Sequence, residues 1–210
     1  IILFVAFLSV LTLSSGFVPF PAQDFCVASQ AAAAGFPVSC KDPLLVTADD
    51  FFAGGLHIAG NTTNPFRASI TALNLALMPG LNTLGLTIAR LDLAAGGFVP
   101  PHTHPRATEI LSVIDGSLEV GFISSSPGNR LFKKILHEGD SFVVPVGLVH
   151  YQRNAAAGNT VAFVAVNNPN PGIIAIPSTL FGATPDLAAD YLSGALQLDV
   201  KIVEELLAKF

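Results

Sequence analysis

The stretch Gly96-Gly97-Phe98-Val99-Pro100-Pro101-His102-Thr103-His104-Pro105-Arg106-Ala107-Thr108-Glu109 decides how this chain is read. His102 and His104 stand two residues apart, so an extended backbone turns both rings to the same face. Glu109 lies an odd number of residues beyond them, and one unbroken strand would point it to the other face. Pro105 interrupts the strand, which lets Glu109 re-enter facing inward at the start of the next. A second stretch, Gly139-Asp140-Ser141-Phe142-Val143-Val144-Pro145-Val146-Gly147-Leu148-Val149-His150, adds a third imidazole after a Pro/Gly turn and runs on to Asn154. Three imidazoles and one carboxylate that converge inside a barrel form a site for a first-row metal. Taken singly, each of these residues has an ordinary reading. His-x-His is common on strands, Glu109 could be solvated, and His150 could pack beside Tyr151. Their joint placement among the glycines and prolines favours the site. Gln152 and Asn154 follow His150 at strand spacing and are expected to face inward behind the ligands, with tying down backbone as the other role open to Asn154.

Short apolar segments with turn punctuation surround these two stretches. Leu84 to Leu93 reads as a strand buried on both faces, with Leu84, Leu86 and Ile88 on one and Ala89, Leu91 and Leu93 on the other. Glu109 to Ile123 is broken by Asp115-Gly116, a turn signal. Leu131 to Leu136 reads as another strand. Glu138-Gly139-Asp140 turns the chain into Phe142 to Val144, and His150 to Asn154 and Thr160 to Asn167 continue the pattern. The expected fold is all-β, a sandwich or jelly-roll barrel, with Phe142, Val144, Phe163 and Val164 in its core. The C-terminal third changes character. Thr184 and Pro185 can open a helix to Leu192, and Asp199 can cap a second over Val200 to Lys209. The second carries the apolar stripe Val203, Leu206 and Leu207. Helices this short need a surface to dock on, either the barrel or another subunit.

The chain has 210 residues, 51% hydrophobic and only 12% charged, with a net charge of -5. The length suits one domain. The low charge argues against disorder, and the acidic balance makes nucleic acid a poor partner. Ile1 to Leu13 is apolar apart from Ser9 and Thr12, and Ser14, Ser15 and Gly16 follow. We read residues 1–22 as a secretory leader that starts within its apolar part, cut after Gly16 or after Ala22. A single domain then occupies 23–210, with a helical extension from about 177. The leader is too short for a comfortable membrane span, so no membrane association is expected after its removal. In an oxidising compartment Cys26 and Cys40 would pair, a short loop closure that contributes about 3 kcal/mol. Asn61-Thr62-Thr63 is a glycosylation sequon in a loop. His57 and His137 are expected at the surface.

The pattern Gly96-x5-His102-x-His104-x4-Glu109-x6-Gly116, followed by Gly139-x5-Pro145-x-Gly147-x2-His150-x3-Asn154, resembles the two motifs of germins and germin-like proteins in the cupin superfamily. The similarity extends to Gln23-Asp24-Phe25-Cys26-Val27-Ala28 and to Gly80-Leu81-Asn82-Thr83-Leu84-Gly85. The resemblance implies a cupin jelly-roll β-barrel with C-terminal α-helices that clasp neighbours into a trimer of dimers. It implies a secreted plant glycoprotein of the apoplast and cell wall, with a Cys26–Cys40 disulfide. It implies manganese held by His102, His104, Glu109 and His150. On intrinsic affinity alone an imidazole-rich site would prefer zinc or copper to manganese. Some family members oxidise oxalate, others are similar to manganese superoxide dismutases, and several without demonstrated activity are described as receptors, wall proteins or storage-related proteins. Oxalate-oxidising members carry two substrate-binding asparagines, whose positions fall here at Ala89 and Val99. Neither side chain can donate to a carboxylate, and Arg90 sits on the opposite strand face. The expectation is therefore Mn2+-dependent superoxide dismutation, with a non-catalytic metal-stabilised protein as the alternative and oxalate oxidation as a weaker one.

Overall fold

A computed structural model describes residues 23–29 and 39–210. The leader expected over 1–22 lies outside the described residues. Ten strands form two five-stranded antiparallel sheets among these residues. They are β1 (Ala68–Leu73), β2 (Thr87–Leu93), β3 (Phe98–Thr103), β4 (Glu109–Asp115) and β5 (Ser117–Ile123). They continue with β6 (Leu131–His137), β7 (Ser141–Val144), β8 (Val149–Asn154), β9 (Thr160–Val166) and β10 (Ile174–Ala175). One sheet runs β1-β2-β9-β4-β7 and the other β10-β3-β8-β5-β6. Consecutive strands β3 and β4 therefore belong to different sheets, as do β8 and β9. This alternation wraps the chain around one interior, as expected of a jelly roll.

Alternation of side chains decides what enters that interior. On β4, Glu109, Leu111 and Val113 are buried while Ile110 and Ile114 are exposed. On β8, His150, Gln152 and Asn154 are buried in the same rhythm. Leu91, Leu93, Leu111, Val113, Leu118, Val120, Leu136 and Ala162 close one end of the barrel, with Phe142 and Val164 against them. Each fully buried leucine there contributes about 2 kcal/mol, and a charge in place of Leu111 would break the layer. The turns Gly116, Gly139 and Gly147 have φ of 83°, 86° and 77°. At Gly116 the added problem is space, because a Cβ would lie 2.6 Å from the Asn159 carbonyl oxygen.

Four local expectations are corrected. Leu84 and Leu86 are exposed and precede β2, which starts at Thr87. The outer face of β2 is polar instead: Arg90 pairs with Asp92 at 2.7 Å, and Asp92 accepts from the Gly60 backbone N–H. Phe163 pairs across the ladders with Arg90 and Ser112. Its parity is opposite to that of buried Ala162, so it lies half-buried on the outside of the barrel. The first of the expected helices starts later. After α1 (Ile176–Phe181), α2 spans Ala189–Leu196 with Ala188 at its cap, so Thr184 and Pro185 lie ahead of it. The cause is the docking of Leu192 onto Phe181 and Val203. α3 (Val200–Lys209) has the Asp199 carboxylate accepting from Lys201 N–H, and Leu206 and Leu207 pack beside buried Val203.

The Cys26–Cys40 disulfide is present. His57 and His137 are exposed. No helix among the described residues is long and apolar enough to cross a membrane.

Candidate metal centre

His102, His104, Glu109 and His150 come together, all buried, with one ligand atom from each lying within 4.8 Å of the others. Two sheets build this cluster. β3 and β8 are ladder neighbours that set His102 directly opposite His150, with ring centroids 4.1 Å apart. Glu109 reaches in from β4 in the facing sheet. The chain crosses between sheets at the Pro105-Arg106 turn, and that crossing turns Glu109 back towards the histidines.

Each imidazole is held from behind. His102 Nδ1 lies 2.9 Å from the Pro100 carbonyl, His150 Nδ1 2.9 Å from the Leu148 carbonyl, and His104 Nδ1 2.6 Å from the Gly172 carbonyl. A carbonyl only accepts, so each Nδ1 carries the hydrogen. In the neutral ring Nε2 then keeps its lone pair, which is the arrangement that presents a ligand. Glu109 Oε2 is 3.1 Å from His104 Nε2 and 3.5 Å from His150 Nε2. Atoms sharing one ion at about 2.1 Å each sit about 3 Å apart when they are neighbours around it. His150 Nε2 is buried and makes no hydrogen bond. An orphaned lone pair of this kind is costly unless something binds it. The donor set and its spacing therefore fit a divalent cation.

The electrostatics agree. Burial pushes the His102 pKa down to about 4, and the neighbouring His150 adds to the effect. Burial also works against charge on His104, but the Glu109 carboxylate and the Gly172 carbonyl outweigh it and hold its pKa above the ordinary imidazole value. Burial alone would raise Glu109, yet the imidazoles of His104 and His150 bring it down to about 2. The carboxylate is ionised at any physiological pH.

Gln152 supports the cluster directly: its Nε2 donates to Glu109 Oε1 at 2.8 Å. Asn154 does not, and its expected place behind the ligands is corrected. Its Nδ2 donates to the carbonyls of Leu93, Ala94 and Gly158, while its Oδ1 accepts from Ala156 N–H and Thr160 Oγ1. Four residues along β8 from His150, it lies about 13 Å away and ties strand ends together. Asn61 is exposed and its side chain accepts from Thr63 N–H. The Gly172 carbonyl was not foreseen. No local signal marks it, because 68 residues separate it from His104.

A cavity of about 150 Å³ opens beside the cluster, lined by three of its ligands, His102, His104 and Glu109. Ala89 and Val99 both line it, with Ile70, Ala72, Val164 and Ile173. Arg90 points to the opposite face, where it is engaged with Asp92 and the Leu56 carbonyl.

Residues 55–204 match the family model described as Cupin. A putative germin-like protein 2-3 from Oryza sativa subsp. japonica is 50% identical over 189 residues, covering 90% of this chain and 85% of the relative. Among solved structures, oxalate oxidase in complex with the substrate analogue glycolate superimposes with a TM-score of 0.86 at 42% identity, covering 91% of this chain and 97% of that one. Peruvianin-I, a cysteine peptidase from Thevetia peruviana latex, superimposes with a TM-score of 0.69 at 35% identity, covering 75% and 97%.

Proposed function

The chain belongs to the germin-like proteins of the cupin family, and from that premise we propose that it is a secreted, manganese-dependent superoxide dismutase of the plant cell wall. The carrying observation is a complete three-histidine, one-glutamate ligand set beside a cavity whose walls at Ala89 and Val99 offer no hydrogen bond. His102, His104, Glu109 and His150 would hold the ion. Manganese supplies one-electron chemistry by cycling between oxidation states. Two superoxide anions and two protons then give one hydrogen peroxide and one oxygen. The protein's task is modest: aim Nε2 of each histidine at the ion by binding its Nδ1 hydrogen, orient Glu109 through Gln152, and admit a diatomic anion through the cavity. Oxalate asks for more. Its second carboxylate would lose hydration against aliphatic walls, with no cationic side chain among the lining residues. Cysteine-peptidase chemistry lacks its nucleophile, because Cys26 and Cys40 are joined and the sequence has no other cysteine.

A second reading is favoured by one observation. The ligands come from both sheets, so a bound ion would pin the barrel closed and add directly to stability. A non-catalytic binding or reservoir protein that uses metal only as a clamp would look the same.

The family resemblance also supports secretion to the apoplast, a glycan on exposed Asn61, and a trimer of dimers. The helices present Tyr191 and Ile202, and the turn between them Leu198, to solvent in the single subunit, which suits docking onto neighbours.

The test is one sample of protein secreted from a eukaryotic host. Metals are quantified per subunit, and superoxide and oxalate turnover are both assayed. About one manganese per subunit, with dismutation tracking it, is the expected result. Tight manganese without turnover moves the assignment to the clamp. Oxalate turnover overturns the argument from Ala89 and Val99.

A further inference from the structure

The cavity beside the ligands is chemically lopsided. One end is polar: His102, His104, Glu109 and Gln152. The rest is mainly hydrocarbon, with Ile70, Ala72, Ala89, Val99, Val164 and Ile173 as its main walls and the buried Thr87 hydroxyl as the one polar group among them. No lysine or arginine is among the lining residues. Ile70 and Ile173 are 52% and 62% exposed, so the apolar wall continues to the mouth. Superoxide makes no use of such a wall.

We propose that this cavity binds a small organic monocarboxylate with an apolar body of about six carbons, its carboxylate at the metal end and its hydrocarbon along the aliphatic wall. The inference rests on the metal-binding reading given above. Size supports it, because an apolar protein cavity of about 150 Å³ accommodates benzene. Charge supports it too. One carboxylate at the ligand end meets the cation, and oxygen donors suit manganese. A second charge along the wall would be desolvated with only the neutral Thr87 hydroxyl to meet it. A neutral hydrocarbon would fill the space but lack the anchor. Val99 and Ala89 are the specificity-determining positions, since they make the wall apolar where a polar side chain would favour a diacid.

The experiment uses the manganese-loaded full chain. Straight-chain acids from acetate to hexanoate, then benzoate and oxalate, are titrated while the manganese paramagnetic resonance signal and the thermal midpoint are followed. Affinity is expected to rise roughly fourfold for each added methylene until the cavity fills, with benzoate among the tightest and oxalate weak. Val99→Asn should flatten the series while manganese content, measured on the same sample, stays constant. Ala89→Leu adds no polarity and should shorten the longest acid accepted. A flat series in the unsubstituted protein, or oxalate binding as tightly as pentanoate, overturns the proposal. Superoxide turnover is measured in parallel. Acid binding without dismutation keeps this proposal and removes the enzymatic reading; dismutation with a flat series does the reverse. A chain that takes up no manganese overturns both.

Discussion

Gln152 and Glu109 face each other across the two sheets, joined by a 2.8 Å hydrogen bond from Nε2 to Oε1. One sits on β8 among the histidine-bearing strands, the other on β4 opposite. The bond leaves Glu109 Oε2 for the imidazoles and a cation. Gln152 therefore sets the orientation of the only carboxylate in the cluster.

Gln152→Leu removes a neutral donor to a buried charge, a contact that contributes about 2 kcal/mol. Supporting residues of this kind usually change metal affinity roughly 10- to 100-fold. We expect a loss in that range, with the fold retained. Competition with a chelator, read by metal analysis, measures it.

Glu109→Gln keeps the shape but removes the charge that meets the cation. Metal content should fall to near zero in dialysed protein, and superoxide turnover should fall with it. His104→Ala should do the same. Turnover that survives complete metal loss would disprove the manganese reading.

Metal uptake should be linked to pH with a definite sign. In the metal-free protein His104 holds its proton above the ordinary value of 6.5, while His102 gives it up down to about 4. Uptake must expel whatever protons are bound. Affinity should thus fall as pH falls from neutrality towards pH 4, with more protons released per ion at the lower end as His104 and then His102 become protonated in the metal-free protein. Glu109, at about 2, adds nothing in this window. Calorimetric titration in buffers of different ionisation enthalpy counts the protons directly.

Asn154→Ala should separate stability from the metal. The substitution removes the amide donor to the carbonyls of Leu93, Ala94 and Gly158 and the acceptor for Ala156 N–H, and of these the Ala94 carbonyl keeps a second partner in Gly97 N–H. Buried groups left unpaired cost about 1–3 kcal/mol each, so a loss of about 3 kcal/mol is expected after partial relaxation. Denaturant unfolding measures it, and manganese per subunit should be unchanged.

A further stability prediction concerns Asp92, whose carboxyl is lowered despite its burial by Arg90 and the Gly60 N–H. A depressed carboxylate stabilises the fold above its unfolded value, and the contribution is lost as pH falls through the folded one. Asp92→Asn should therefore destabilise most at neutral pH and progressively less as pH falls below the ordinary carboxyl value of 3.8, as read from thermal midpoints across that range.

Much of the barrel was legible because its information is local. The Asp115-Gly116, Glu138-Gly139-Asp140 and Pro145-Gly147 turns punctuate the chain, and alternation along β4 and β8 sets Glu109, His150 and Gln152 inward. The ligand residues themselves stood in the two opening stretches, spaced for strands. What the chain could not show by itself was which side each strand would find covered. Leu84 and Leu86 look like core but meet no second layer, and Phe163 is as apolar as its neighbours yet takes the outward parity. Asn154 shares the face of His150 but lies too far along the strand to reach the ligands. α2 begins where Leu192 can dock rather than where a proline would start it. The Gly172 carbonyl behind His104, and the largely aliphatic cavity assembled from seven strands and the loop before β10, exist only once the sheets close. Periodicity and turn chemistry are properties of neighbours in sequence. Burial, ligand orientation and cavity shape depend on which distant strand arrives opposite, and only tertiary packing decides that.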